Sequence, residues 1–339
     1  MAYKLNYVEA DDILKKLQNE YKIYAPTRKK DKGTFSDTDL ITYGQVNSFA
    51  EIEFNEKTKY SPKDIVFPIT QTLFYFNGDE YIEAEEDTDK VIVFLRPCEV
   101  NAFKRLDKIF LENGPEEDIY YKRLREKVKF AVIECTEGFD SCFCVSMGTN
   151  ETDDYSIFLR ISEDEVFCEV KDDSLTQIFV DQEEVEFTPE FIQENEVAVE
   201  VPALEDITTD LFESEIWKEY SKRCIGCGRC NMSCPTCSCW TMQDIAYKDN
   251  ENLGERRRVW AGCHIDGYTE MAGGHDFRTN YGDRMRFKTM HKIYDFRKRF
   301  DIDMCVGCGR CEDVCPKYIS FVGAIKKLNQ AIKEGKADA

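Results

Sequence analysis

Residues 223–240 read RCIGCGRCNMSCPTCSCW, and residues 304–316 read MCVGCGRCEDVCP. Two cysteine runs lie in these stretches: Cys224, Cys227, Cys230 and Cys234 before Pro235, and Cys305, Cys308, Cys311 and Cys315 before Pro316. Both fit C-x2-C-x2-C-x3-C-P, in which three closely stepped thiolates reach three irons of one cubane and the fourth turns away to the other cubane. The spacing assigns Cys224, Cys227, Cys230 and Cys315 to a first [4Fe–4S] cluster, and Cys305, Cys308, Cys311 and Cys234 to a second. Gly226, Gly228, Gly307 and Gly309 let the backbone approach the sulfides and donate N–H groups to them. A zinc ribbon needs two ligand pairs per metal, which neither run offers.

A second constellation lies in the first half. Cys98 follows the apolar run VIVFL and Cys135 ends KFAVIEC, so both are expected at the carboxyl edge of an open α/β sheet, where ligands bind. Cys142 and Cys144 follow in GFDSCFC, a short loop that can fold back over that edge. Four thiols on one crevice would form a third cluster site; the alternative is four ordinary buried or surface cysteines. Cys168 alternates with Val166 and Val170 and reads as a core residue. Cys237, Cys239 and Cys263 stay open between packing beside the second cluster, extra ligation and redox-active thiols, with packing favoured because free cysteine is commonly buried. His264 and His275 read as structural, and Arg256, Arg257 and Arg258 as a solvated helix end.

The elements that must position these thiols follow from apolar patterning. The chain has 339 residues, enough for two domains. VIVFL, the helix VNAFKRLDKIFLE, the helix IYYKRLREKV and the strand KFAVIEC make a strand–helix–strand unit with a parallel pair. Further strands are expected at 65–69, 73–76 and in three short segments between 155 and 187. Helices are expected at 208–224, 283–300 and 318–335, so the segment carrying the two runs reads as mostly helical. The fold expected is a mixed α/β domain over 1–205 with the third thiol set, followed by an α-helical two-cluster ferredoxin-type domain over 206–339.

Composition bounds the partners. A net charge of -21 argues against nucleic acid and anionic membrane surfaces. No signal peptide or apolar stretch of membrane-spanning length is visible, and sixteen cysteines in a reducing compartment favour metal or redox work, so a cytoplasmic protein is expected. No G-x-G-x-x-G follows a strand, and all eight cysteines of the tandem runs are allotted, so neither flavin nor siroheme is expected in this chain.

CIGCGRCNMSCPTCSCWTMQDIAY, GERRRVWAGC, MAGGHDFR, MRFKTMHKIYDFRKRF and MCVGCGRCEDVCPKYISF together resemble the iron–sulfur component of the anaerobic sulfite reductases. FLRPCEVNAFKRLDKIF and ECTEGFDSCFCVSMGT resemble the amino-terminal domain which that component shares with sulfhydrogenase β subunits. The resemblance implies an electron-transfer subunit of an oxidoreductase, with no substrate-reducing centre of its own. Its implied partners are a flavin-containing subunit that oxidises NADH and a siroheme subunit that reduces sulfite to sulfide. It also strengthens a third [4Fe–4S] cluster on Cys98, Cys135, Cys142 and Cys144. The alternatives are a sulfhydrogenase β subunit, or a related reductase, and a thiol-based reductase in its own right. Residues 1–60 and 155–205 carry nothing transferable.

Overall fold

The computed structural model describes residues 1–85 and 89–337. The chain opens with strand β1 (Ala2–Asn6), because Tyr3 and Leu5 alternate into the core. Helix α1 (Tyr7–Leu17) follows, capped reciprocally: the Asn6 side chain accepts from the N–H groups of Val8 and Glu9, and Glu9 accepts from that of Asn6. Next come β2 (Tyr21–Lys29), β3 (Leu40–Gln45), β4 (Thr70–Asn77), β5 (Glu80–Glu83) and β6 (Lys90–Leu95). Helices α2 (Pro97–Leu111) and α3 (Ile119–Arg125) cross over to β7 (Val128–Ile133). Strands β8 (Ile157–Ile161) and β9 (Glu165–Val170), helix α4 (Asp173–Thr176) and β10 (Glu183–Glu184) complete the first half.

Eight of these strands form one sheet in the order β10-β1-β9-β8-β7-β6-β2-β3, with β2, β6, β7 and β8 parallel. Ile92 and Phe94 of β6 join the core containing α1, and Val93 and Leu95 join the core containing Val100, Phe103 and Leu106 of α2. Burial on both faces is why VIVFL is apolar without alternation. Two expected strands do not form: 65–69 is the end of a helical turn followed by irregular chain, and 177–181 opens on a helical turn. Pro62 opens the turn Pro62–Ile65 in the first, and Asp172 caps α4 in the second, which continues until Phe179 stacks on Tyr3 with ring centroids 5.4 Å apart.

The second half carries α5 (Lys218–Arg223), α6 (Arg229–Met232), β11 (Trp240–Tyr247), β12 (Asn250–Trp260), β13 (Glu270–Met271) and β14 (His275–Asp276). Helices α7 (Tyr281–Met290) and α8 (Phe296–Phe300) are joined without a break by a π turn at His291–Asp295; α9 (Arg310–Asp313) and α10 (Phe321–Ala337) follow. The expected helix over 208–224 is helical at 218–223, after two short 3-10 turns. Between the cysteine runs the chain is not all helix: β11 and β12 form a hairpin that adds to β4 and β5 in the order β11-β12-β4-β5. Arg256, Arg257 and Arg258 thus lie on a strand rather than at a helix end. Arg256 pairs with Asp244, and Arg258, 2% exposed, reaches Asp118 and Gln71. No helix among the described residues is long and apolar enough to cross a membrane.

The two halves interlock where the second cysteine run meets the first half. The Phe143 N–H donates to the Gly307 carbonyl at 2.8 Å, the Thr149 hydroxyl to that of Val306 at 2.7 Å, and Arg105 to that of Asp303 at 3.0 Å. A Cβ on Gly309 would lie 2.2 Å from the Ser141 carbonyl oxygen, at a backbone φ of +71°. Arg310, 4% exposed, joins α9 to α2 through Glu99, itself 1% exposed, and Glu99 also accepts from the Tyr43 hydroxyl at 2.6 Å. Two outcomes follow for urea unfolding. Gly309→Ala loses more stability than Gly78→Ala, which has a similar φ of +59° but nothing within 4 Å and costs about 1–2 kcal/mol for the conformation alone. Arg310→Met strands a buried carboxylate and costs about 3–5 kcal/mol; equal midpoints for Arg310→Met and the native chain would refute the tie.

Candidate iron–sulfur centres

The thiols of Cys224, Cys227, Cys230 and Cys315 line a single cavity of about 520 Å³ counting its open mouth, together with Cys311 from the second run. Gly226 and Gly228 adopt φ of +65° and +69°, and Gly307 and Gly309 repeat this with +63° and +71°. Those conformations turn backbone N–H groups onto sulfur: Gly226 donates to Cys224 Sγ at 3.4 Å and Gly307 to Cys305 Sγ at 3.5 Å. Ile319 donates likewise to Cys315 Sγ at 3.3 Å. His264 lines the same cavity, with its Nδ1 buried and without a hydrogen-bond partner among the described residues. Burial, with Lys288 and Arg284 nearby, lowers its pKa to about 3, so the imidazole is neutral. Convergent thiols, N–H donors aimed at sulfur and an orphaned polar atom at the wall all fit a bound iron–sulfur cubane.

The second run gathers Cys305, Cys308 and Cys311 around Cys234, whose charge acts on all three. Burial pushes the Cys305 thiol up to about 12 and the Cys311 thiol well up. Cys234 moves the other way. A hydrogen bond from Cys237 holds its pKa well down, helped against burial by Lys292, Thr236 and Lys63. Lys292 Nζ lies 3.3 Å from Cys234 Sγ and 2.8 Å from the Thr236 hydroxyl. Cys234 therefore ionises before Cys305, Cys308 and Cys311.

Cys98 lies in the first turn of α2 and Cys142 and Cys144 in the loop after β7, near enough for Cys144 to act on Cys98 and Cys142 on Cys144. Burial pushes Cys98 well up, with Glu99, Cys144 and Cys308 adding to it; burial and then Cys142 push Cys144 up to about 12, with Cys135 contributing. Cys144 Sγ donates to Asn195 at 3.5 Å, and Cys135 Sγ to the Glu137 carbonyl at 3.3 Å. This set abuts the second run: Cys142 Sγ is 3.8 Å from the Cys308 carbonyl, and Cys98 packs with Val306 and Cys308.

Sequence reasoning missed the cations around these thiols. Lys288 and Lys292, 5% and 3% exposed, point between the runs. Burial pulls both pKa values down, but the sulfurs of Cys230, Cys311, Cys237 and Cys234 around Lys288, and of Cys234, Cys237 and Cys305 around Lys292, raise them on balance. A signal for these two was present: positions 285, 288, 289, 292, 293 and 296 form the buried stripe of one helix, and two of them are lysine. Lys57 bridges Ser141 at 2.5 Å, the Cys308 carbonyl at 3.0 Å and Asp313 at 2.7 Å, and Lys63 donates to the Cys237 carbonyl at 2.8 Å. Neither belongs to any motif.

Cys168 is a core residue, 1% exposed. Cys237 and Cys263 are buried and share a donor, Asn231 Nδ2, 3.7 Å and 3.2 Å away. Cys239 sits beside Tyr268. His275 lies in the small β13–β14 hairpin, edge-on to Phe277, and joins none of the thiol sets.

Comparison with known proteins agrees with this geometry. Residues 223–319 match the 4Fe-4S dicluster domain, so the chain is an iron–sulfur protein with the domain that holds two such clusters. Over 351 aligned positions it is 28% identical to sulfhydrogenase 2 subunit beta of Pyrococcus furiosus, covering 97% of this chain and 98% of that protein.

Proposed function

We propose that this chain is the iron–sulfur electron-transfer subunit of a sulfhydrogenase-like reductase. The observation that carries the reading is the contiguity of the thiol sets: Cys311 borders the cavity of the first set, and Cys308 touches the third. Similarity to a sulfhydrogenase beta subunit over nearly the whole length supports the same assignment. A bound [4Fe–4S] cubane supplies reversible one-electron chemistry and makes or breaks no substrate bond. In this reading Cys224, Cys227, Cys230 and Cys315 hold one cubane, Cys305, Cys308, Cys311 and Cys234 a second, and Cys98, Cys135, Cys142 and Cys144 a third. Lys288 and Lys292 neutralise anionic centres out of water, the glycine N–H groups and Cys237 fix the sulfurs, and the surrounding core excludes solvent. As a beta subunit, the chain works beside partners that carry the substrate chemistry.

The terminal acceptor separates two versions of this role. The stretches around Cys224–Cys239 and Cys263 favour an anaerobic sulfite reductase, with a flavin subunit oxidising NADH and a siroheme subunit reducing sulfite. The whole-length similarity favours the sulfhydrogenase assembly. Anaerobic purification of the native complex decides between them: nickel in the copurifying subunits supports the sulfhydrogenase version, and siroheme absorbance the sulfite reductase version.

Iron and acid-labile sulfide analysis tests the cofactor count. Three cubanes give about twelve irons per chain, falling to about eight in Cys98→Ala. A native value near eight that Cys98→Ala leaves unchanged sinks the third site. Lys292→Met keeps the iron but removes a buried cation from Cys234, so the midpoint of the affected centre falls by an amount on the order of 59 mV, the one-electron equivalent of a tenfold change. Electron paramagnetic resonance during a redox titration reads that shift.

A further inference from the structure

Of the sixteen cysteines, Cys227 is the one exposed to solvent. Around it the surface departs from the rest of the protein in two ways. Apolar side chains stand out of the fold: Ile225 is 51% exposed, Ile265 37% and Tyr318 87%. Tyr318 is held there by a left-handed backbone, φ +52°, and Ile265 lies over the cysteine loop, where a Cβ on Gly228 would come within 2.7 Å of its Cγ1. The charge also changes sign. In a chain of net charge -21, this rim carries Lys222, Arg223, Arg229 and Lys317, all exposed. Arg229 and Lys317 line the mouth of the cavity beside Ile225 and Cys227, and Arg223 donates to the Tyr318 carbonyl at 3.0 Å. The nearby carboxylates are already engaged: Glu219 with Arg223 and Lys327, and Asp266 with Arg284. Neither Arg229 nor Lys317 has an ion-pair partner among the described residues.

We propose that the face around Cys227 is a docking site for a small acidic one-electron carrier protein, one whose redox group is ringed by carboxylates. The proposal rests on the electron-transfer reading above and adds its port. A few apolar side chains among exposed cations, of which Arg229 and Lys317 carry no ion pair among the described residues, suit a brief, electrostatically steered encounter more than a permanent subunit contact, which is larger and more apolar. On docking, the carrier's redox group loses one electron and the centre behind Cys227 gains it, or the reverse, with no bond formed or broken. Elsewhere the acidic surface repels such a carrier, so the local sign reversal also selects where it lands.

The test uses the full chain with reconstituted clusters and a reduced flavodoxin as the acidic carrier, followed by stopped-flow absorbance. The native rate constant falls as sodium chloride rises. Lys317→Glu combined with Arg229→Glu lowers it by roughly tenfold or more at low salt. Lys15→Glu on α1, far along the chain on an exposed face, serves as the charge control and leaves it nearly unchanged. Reduction by dithionite and the paramagnetic spectrum of the reduced centres stay the same in all variants, which separates docking from loss of the clusters. Equal rates for the rim and α1 variants, or a rim shielded from hydroxyl-radical footprinting in the native complex, overturn the proposal. A reconstituted chain that takes up no iron, or that dithionite cannot reduce, overturns the electron-transfer reading and this one with it.

Discussion

Buried positive charge among thiols is the constraint on which the rest of the structure depends. Lys63, Lys288 and Lys292 are each at most 5% exposed, and no carboxylate among the described residues pairs with any of them. Removing an ammonium from water without compensation costs several kcal/mol, so such a site persists when anions lie beside it. Here the anions are sulfur: Cys237 and Lys292 favour the thiolate of Cys234, and Cys305 and Cys311 add their charges once a metal takes their protons. Most of the other thiols are pushed up by burial, so ligand binding must release protons, and affinity for metal rises with pH. Around Lys288 and Lys292 the lysines and thiols are two halves of one electrostatic arrangement, whereas at Lys63 burial outweighs the sulfurs and pulls the pKa down.

That arrangement explains why the cysteine runs do not stand apart from the rest of the chain. Lys63 comes from the turn before β4, Lys57 and Thr58 from the segment before it, and Glu99 from α2, yet all of them grip the loops that carry Cys237, Cys308 and Arg310. The β11–β12 hairpin closes the same joint from the other side by adding to β4. Trp260, at the end of that hairpin, has the Lys63 ammonium 4.1 Å above its ring and donates its indole N–H to the Phe67 carbonyl. One joint therefore seats the cations, pins the thiol loops and crosses the division expected at residues 205 and 206.

The legible parts of the chain were those governed by local rules. The three-residue cysteine steps and the glycines between them could be read directly, and the left-handed turn of those glycines belongs to a loop conformation set within a dozen residues. The parallel pair β6 and β7 could be read because burial on both faces demands an uninterrupted apolar run. What could not be read depended on distant partners. Residues 65–69 look like a strand, but Pro62 and Ser61 start a helical turn that brings Lys63 to Cys237. Trp240–Tyr247 is exposed along most of its length, so it carries no amphipathic pattern, and only pairing with β12 makes it a strand. Lys57 and Lys63 look like any surface lysine until the chain that buries them is in place.

The same physics gives the three thiol sets different surroundings, and this asymmetry bears on direction. Cys305, Cys308 and Cys234 are buried and Cys98 is partly covered, whereas Cys227 reaches solvent. Solvent and N–H donors stabilise the more negative, reduced form of an iron–sulfur centre, while an apolar wall raises its cost. A buried centre is therefore kept workable by fixed cations, and Lys288 and Lys292 stand between the two runs where they can act on both. The cavity of the first set has one buried cation in its wall, Lys288, and two exposed ones at its mouth, Arg229 and Lys317. Cations inside the core adjust the centres to one another. Cations at the rim act on whatever approaches the cavity mouth.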